Sequence, residues 1–379
     1  MLICFDARPE AKKALDGILA TGQFRDISEA VSMALVNYQL LQQTVPQGGH
    51  IFPVVAPGLD ADLPETVRVT ANRSTAQATS SRPTTTAGVA VLGIPEAFAL
   101  KAETSDGINL LPMPSVSEPG ALNLPPARWL FGQFNKFLPV KATCRALLNL
   151  LLENPAGIPM TEATNKISHA ACGLGDYLNT LDDRLQARRE DAFAAAFPSS
   201  TIEGGGESRL RFGNQFVASM RRDQLSSFPA ALKLVATDTA KEPRLSLTKA
   251  GADFALLQSP ILDAPGTPTT RKLTLEEIEF LLTHILSSVP EEVSAYAAIL
   301  GAIESGANTP DAVDKCLRQR FNLPTEQAIT KTFLTTQRTG AISRMIDLGL
   351  IARQKDGLRV TYLFTAPGKD FHTRIARGG

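Results

Sequence analysis

The sequence predicts a mainly α chain with small β elements, an α+β class, built from two similar modules behind a smaller N-terminal unit. Three observations carry that reading. Apolar residues recur at helical spacing over several long stretches. A ten-residue phrase occurs twice, as Leu245-Ser-Leu-Thr-Lys-Ala-Gly-Ala-Asp-Phe254 and Tyr362-Leu-Phe-Thr-Ala-Pro-Gly-Lys-Asp-Phe371, with Thr, Gly, Asp and Phe at matching positions. In each copy an alternating apolar stretch, the pattern of a strand, runs into Thr-x-x-Gly, which reads as a tight turn with Gly251 and Gly368 supplying unusual backbone angles.

The first element is a strand over residues 2–7, with Ile3, Phe5 and Ala7 on one face. Pro9 opens a helix striped by Ala11, Leu15, Ile18 and Leu19; Gly22 breaks it, and Ser28 starts a second striped by Val31, Leu35, Tyr38 and Leu41. A unit this small buries little by itself, which favours dimerisation or docking. Through Arg8-Pro9-Glu10 and Ile27-Ser28-Glu29-Ala30, residues 1–43 resemble the ribbon-helix-helix family of intertwined dimers. The resemblance implies a homodimer and puts Leu2, Cys4 and Asp6 where that family reads DNA. Asp6 would repel phosphate, so the unit is read as a dimerisation device.

Residues 44–126 form a Pro/Ser/Thr-rich linker, interrupted by Pro46, Pro53, Pro57, Pro64 and Pro83. Within it Val89–Ile94 and Phe98–Ala102 can pair as short strands, with Ile108–Pro112 packed against them. A flexible tether and an extended arm laid over a core both fit this composition.

The next module, residues 127–263, opens with an apolar helix from Ala142 to Glu153, stopped at Pro155-Ala-Gly157. Helices over Thr161–Ala171 and Gly173–Arg188 lead to strands at Arg209–Phe212 and Arg244–Thr248, with residues 191–240 as an enlarged insertion. The outward side of the third helix would show Asp176, Asn179, Asp182 and Asp183, a poor match to a groove lined by phosphates. That module therefore reads as scaffold or partner surface, unless Arg209, Arg211, Arg221 and Arg222 hold phosphate.

The last module, residues 272–379, has helices over Glu292–Ser305, Thr309–Arg320 and Glu326–Leu348. It closes on a hairpin about Asp356-Gly357, a dipeptide suited to tight turns. From residue 309 onward twelve basic side chains face six acidic ones, although the whole chain has 38 of each. Leu334, Ile342, Met345 and Ile346 can face inward on the long helix. Lys331, Thr335, Gln337, Arg338 and Arg344 are then expected outward, joined by Arg353, Lys355 and Arg359 on the hairpin, all chemistries that suit phosphates or base edges.

Residues 128–371 resemble tandem winged-helix proteins, through Thr-x-x-Gly at the end of each module and the transition Ile346-Asp-Leu-Gly-Leu-Ile351. The full expectation is an N-terminal ribbon-helix-helix plus two winged-helix domains. The resemblance implies double-stranded DNA binding by the third helix and wing of the last module, as in a prokaryotic or mobile-element transcriptional regulator. Such modules also dock proteins, so an adaptor subunit of a multiprotein defence or chromosome-handling complex stands beside it, with partners held by the first module.

No catalytic constellation emerges, and the chain is read as a non-enzyme without cofactor. Glu203-Gly-Gly-Gly-Glu-Ser208 lacks the Gly-Lys-Ser/Thr ending of a phosphate loop. Cys4, Cys144, Cys172 and Cys316 lie at no metal-ligand spacing from each other or from His50, His169, His284 and His372. The N-terminus lacks a basic start and a cleavage site, and the most apolar run, residues 146–152, is too short for a bilayer. These features predict a cytoplasmic protein with no membrane partner.

Overall fold

The computed structural model describes residues 93–114, 123–200, 205–221, 223–238, 242–264, 271–324, 328–357 and 359–378. The expected unit over residues 1–43 lies outside the described residues, as do 44–92 and 115–122 of the expected linker. The fold is mainly helical with small antiparallel sheets.

The front half runs α1 (Phe137–Glu153), β1 (Ile158–Pro159), α2 (Met160–Leu185) and α3 (Gly205–Phe212), which continues as a π turn over Gly213–Val217. A two-stranded hairpin follows, β2 (Met220–Arg221) with β3 (Gln224–Leu225). Then come α4 (Phe228–Ala231), β4 (Val235–Thr237), β5 (Arg244–Leu247) and α5 (Lys249–Leu256). The rear half runs α6 (Leu275–Ser288), α7 (Pro290–Glu304), α8 (Pro310–Arg320), α9 (Ala328–Asp347), β6 (Ile351–Asp356), β7 (Arg359–Phe364) and α10 (Ala366–Gly378).

The twice-used phrase marks one arrangement built twice. Leu234 and Leu350 each lead into the first strand of a pair, and Val235 lies opposite Leu247 as Ile351 lies opposite Phe364. The hydroxyl of Thr248 donates to the Leu234 carbonyl at 3.2 Å and accepts from the Gly251 N–H; Thr365 does the same with Leu350 and Gly368. Each threonine thus caps a helix, α5 and α10, where the sequence reading expected a turn. The glycines serve space rather than unusual angles. A Cβ on Gly251 would sit 1.9 Å from the Leu234 oxygen, and one on Gly368 2.0 Å from the Leu350 oxygen. The residue before each leucine is left-handed, Lys233 at φ 59° and Gly349 at φ 70°. A third position also repeats: Ile158 pairs with Leu245, and the Asn308 carbonyl accepts from the Tyr362 N–H at 2.7 Å. Gly251→Ala and Gly368→Ala are expected to cost about 1–3 kcal/mol each, since the added methyl must push backbone aside. Urea denaturation of the two variants checks the equivalence, and similar losses are the expected outcome.

The halves share one hydrophobic core, running from Phe98 through α1 and α7 to Ile375. Aromatic stacks line it: Phe134 on Phe228 at 5.5 Å within the front half, and Phe254 on Phe280 at 5.6 Å across the seam. Trp129, the chain's one tryptophan, meets Phe321 edge-on at 5.9 Å and donates its indole N–H to the Leu124 carbonyl. Helix α1 is buried nearly all round, yet it carries Lys141, Arg145 and Asn149 on one stripe. Lys141 and Arg145 donate to the carbonyls of Phe254, Ala255 and Leu257, the C-terminal end of α5, where helix carbonyls lack internal partners.

Several expectations give way here. Residues 161–188 do not form two helices; α2 is continuous through Gly173 and ends at Leu185. Asp176 and Asp182 are not an outward acidic face. Asp176 accepts from Ser199 and Ser200, and Asp182 accepts from the Phe193 and Ala194 N–H groups, fastening the chain that returns along the helix. Phe98–Ala102, expected as a strand, forms none; Glu96–Phe98 is a 3-10 turn with Phe98 in the core. Further on, Leu111 bridges in parallel to Thr248, so this described part lies over the core.

Candidate nucleic-acid interface

Helix α9 was expected to hold the recognition surface, and the structure corrects the orientation of most of its side chains. Leu334, Ile342 and Met345 are buried as expected, but the opposite side is covered too. The segment before α1 lies directly on it. A Cβ on Gly132 would sit 2.2 Å from the Thr336 oxygen, and one on Gly340 2.1 Å from the Gly132 oxygen. Gln337, 3 % exposed, accepts from the Gly132 N–H at 2.6 Å and donates to the Pro126 carbonyl at 3.0 Å. Arg338 donates to Asp314 at 2.6 Å and to the Tyr362 hydroxyl at 3.2 Å, while Thr335 donates to the same carboxylate. Arg344 is fully buried, forked on Glu292 and bonded to the Phe134 carbonyl. Gln337, Arg338 and Arg344 therefore face no groove, and Thr335 is half-buried. Lys331, at the start of the helix, is exposed.

A helix sealed on two sides shows the same apolar period as one sealed on one side, so the stripe alone misled. The signal available was Gly340 in mid-helix, which marks close backbone approach.

The hairpin residues are another matter. Arg353 and Lys355 sit two apart on β6, so both side chains emerge on one face. They border a cleft of about 110 Å³ together with Lys136, Arg188, Lys272, Glu190, Asp191 and Asp347. Five cations thus meet three carboxylates, drawn from four separate stretches of chain. Lys136 and Lys272 share Asp347, at 3.8 and 3.6 Å, and that carboxylate also accepts from the Phe137 N–H at the start of α1. Lys355 pairs with Glu190 at 2.5 Å. Arg188 and Arg353 make no ion pair among the described residues, although the Lys355 ammonium and, after it, the charge of Arg353 hold the Glu190 carboxyl below its ordinary pKa. Burial pushes the Lys136 ammonium below its ordinary value; Asp347 opposes this, while Lys272 and Arg353 add to it. Burial disfavours charge of either sign; only the part due to Lys272 and Arg353 is repulsion that an anion there would relieve. Arg359 lies opposite Asp356 across the same hairpin and is exposed.

Of the eight residues expected to bind DNA, Arg353 and Lys355 are brought together at this cleft. Lys136 and Lys272 were missed, and Arg188 was noted only as the tail of an acidic helix. No local motif links them, because the fold alone makes them neighbours. Among the described residues no helix is long and apolar enough to cross a membrane. No family model, curated protein or solved structure matches the chain.

Proposed function

We propose that the chain is a non-enzymatic DNA-binding protein whose two modules are fused winged-helix units, and that it holds duplex DNA by its backbone along the junction between them. The convergence of Lys136, Arg188, Lys272, Arg353 and Lys355 on one cleft carries this reading. Arg188 and Arg353 supply charge not taken up in an ion pair, while Arg359, opposite Asp356, lies on the other face of the hairpin. The winged-helix assignment is supported by the order helix, strand position, further helices, strand pair and capped closing helix, found around both Thr248 and Thr365, with the hairpin β2–β3 as an addition in the front copy. Because Gln337, Arg338 and Arg344 are interior, contact is by phosphates rather than by base edges, and binding is only weakly selective for sequence. Residues 1–43, on their resemblance to ribbon-helix-helix proteins, would pair two copies, as a transcriptional regulator requires.

Arg188→Ala with Arg353→Ala is expected to weaken binding to a random-sequence duplex and to lower the salt slope by about one to two, as released counterions are lost. Fluorescence anisotropy at two salt concentrations measures both. An unchanged affinity in the double variant would reject the cleft as the contact. The adaptor reading draws on a different observation, the sealing of α9 beneath residues 126–134. Absence of any duplex binding at low salt would leave that reading in place.

A further inference from the structure

A second and larger depression lies on another part of the surface, between α5 and α6 and beneath the extended stretch Leu111–Met113. At about 860 Å³ it falls within the usual range of ligand pockets, about 300–1,000 Å³. Leu111, Ala250, Leu257 and Phe280 give it an apolar floor. The Phe280 ring stands nearly parallel to Phe254, at 13°, and to His284, at 10°, so its orientation is fixed by stacking on its own helix and on α5. A flat molecule laid on that ring would meet a surface already in place.

Among the charged groups around this floor, acids outnumber bases. Asp253, Glu276 and Glu279 border it, with Lys249 as the one cation among its lining residues. Lys249 is held by Asp253, and Glu279 by Arg374, while Glu276 has no ion-pair partner among the described residues. Deeper in, His284 Nε2 lies 2.7 Å from the Leu232 carbonyl. A carbonyl can only accept, so the proton sits on Nε2 and Nδ1 is left as an acceptor. Burial keeps the ring neutral by pushing its pKa below the ordinary histidine value. The depression thus joins an aromatic shelf, a spare carboxylate and an acceptor nitrogen, a set that selects against anions.

We propose that this groove is a binding site for lipophilic organic cations, flat molecules that lay a ring on Phe280 and turn amino N–H groups toward Glu276 and His284. This site shares no residue with the basic cleft, and the proposal does not rest on the DNA-binding reading.

The test uses the full chain and rhodamine 6G, a flat cationic dye with N–H donors, followed by fluorescence anisotropy. Saturable binding of one dye per chain is expected, and fluorescein, an anionic relative, should fail to bind at the same concentrations. Glu276→Lys is expected to weaken dye binding by about tenfold or more, since a charge is reversed beside the ligand; Glu276→Gln should fall between that variant and the parent. Glu103→Lys, an exposed acid away from the groove, controls for overall charge. Glu103→Lys should leave thermal unfolding unchanged; Glu276→Lys, in the first turn of α6, should lower the midpoint only slightly against the helix dipole, too little to unfold the site. Unsaturable binding, equal uptake of fluorescein, or equal losses in Glu276→Lys and Glu103→Lys would each overturn the proposal. So would a failure of the dye to bind because a segment of this chain or a second copy already fills the groove.

Discussion

Arg344→Ala is expected to destabilise the fold by about 3–5 kcal/mol, the range for breaking a buried ion pair from one side. Both partners are fully buried, so the variant leaves the Glu292 carboxylate with neither water nor guanidinium. It also removes the donor to the Phe134 carbonyl and the cation lying 5.8 Å over the Phe228 ring. The penalty comes from the stranded charge more than from the lost attraction. Arg344→Met combined with Glu292→Leu should therefore recover most of the loss. Urea denaturation of the two variants tests this. Equal losses in the single and double variants would mean that the pair contributes through packing alone.

Lys141→Ala carries a comparable expected loss, about 3–5 kcal/mol at neutral pH. It removes the ammonium that lies 3.0 Å from Glu277 and donates to the end of α5. Glu277 is itself fully buried, and burial raises its pKa above the ordinary carboxyl value. Lys141→Met with Glu277→Gln should restore much of the stability, because the amide oxygen can still accept from the Thr274 N–H that the carboxylate now holds at 2.7 Å. The same lysine gives the parent a distinctive pH response. Burial pushes its pKa down to about 8, from an ordinary 10.5. Between those values the unfolded chain binds a proton there that the folded chain has given up, so stability rises with pH across that window. The rise should be missing from Lys141→Met. Denaturation midpoints collected from pH 8 upward would show it, and parallel curves for parent and variant would contradict it.

The elements that were legible in the sequence are those set by local signals. The three helices of the last module, from Glu292 to Leu348, lie within a few residues of their expected bounds, and Asp356-Gly357 closes the expected hairpin. Legible but unused were the cap signals. Thr274 and Glu277 form a capping box that announces α6, and Thr248 and Thr365 are N-caps, a role that Thr-x-x-Gly serves as readily as a turn. What local pattern could not give was the cover on α9. That depends on Gly132 meeting Gly340 across more than two hundred residues, and on Glu292 waiting inside for Arg344. The basic cleft was hidden for the same reason. Arg353 and Lys355 were visible as hairpin cations, but Lys136, Arg188 and Lys272 become their neighbours only once the halves pack. The polar stripe of α1 is a third instance: a run of leucines hid Lys141 and Arg145, whose place inside is set by the carbonyls of a helix a hundred residues away.

The position of Trp129 gives the molecule a built-in optical probe. The indole is 5 % exposed and belongs to the segment that covers α9, meeting Phe321, just after α8, edge-on. Its emission should be blue-shifted while those parts stay together and move to the red when water reaches the ring. Since circular dichroism follows the helices as a whole, comparing the two signals during denaturation distinguishes parting of the halves from loss of either one. Coincident curves would mean that the halves live and die as a single cooperative body. An earlier fluorescence change would expose a state in which both modules persist but have come apart.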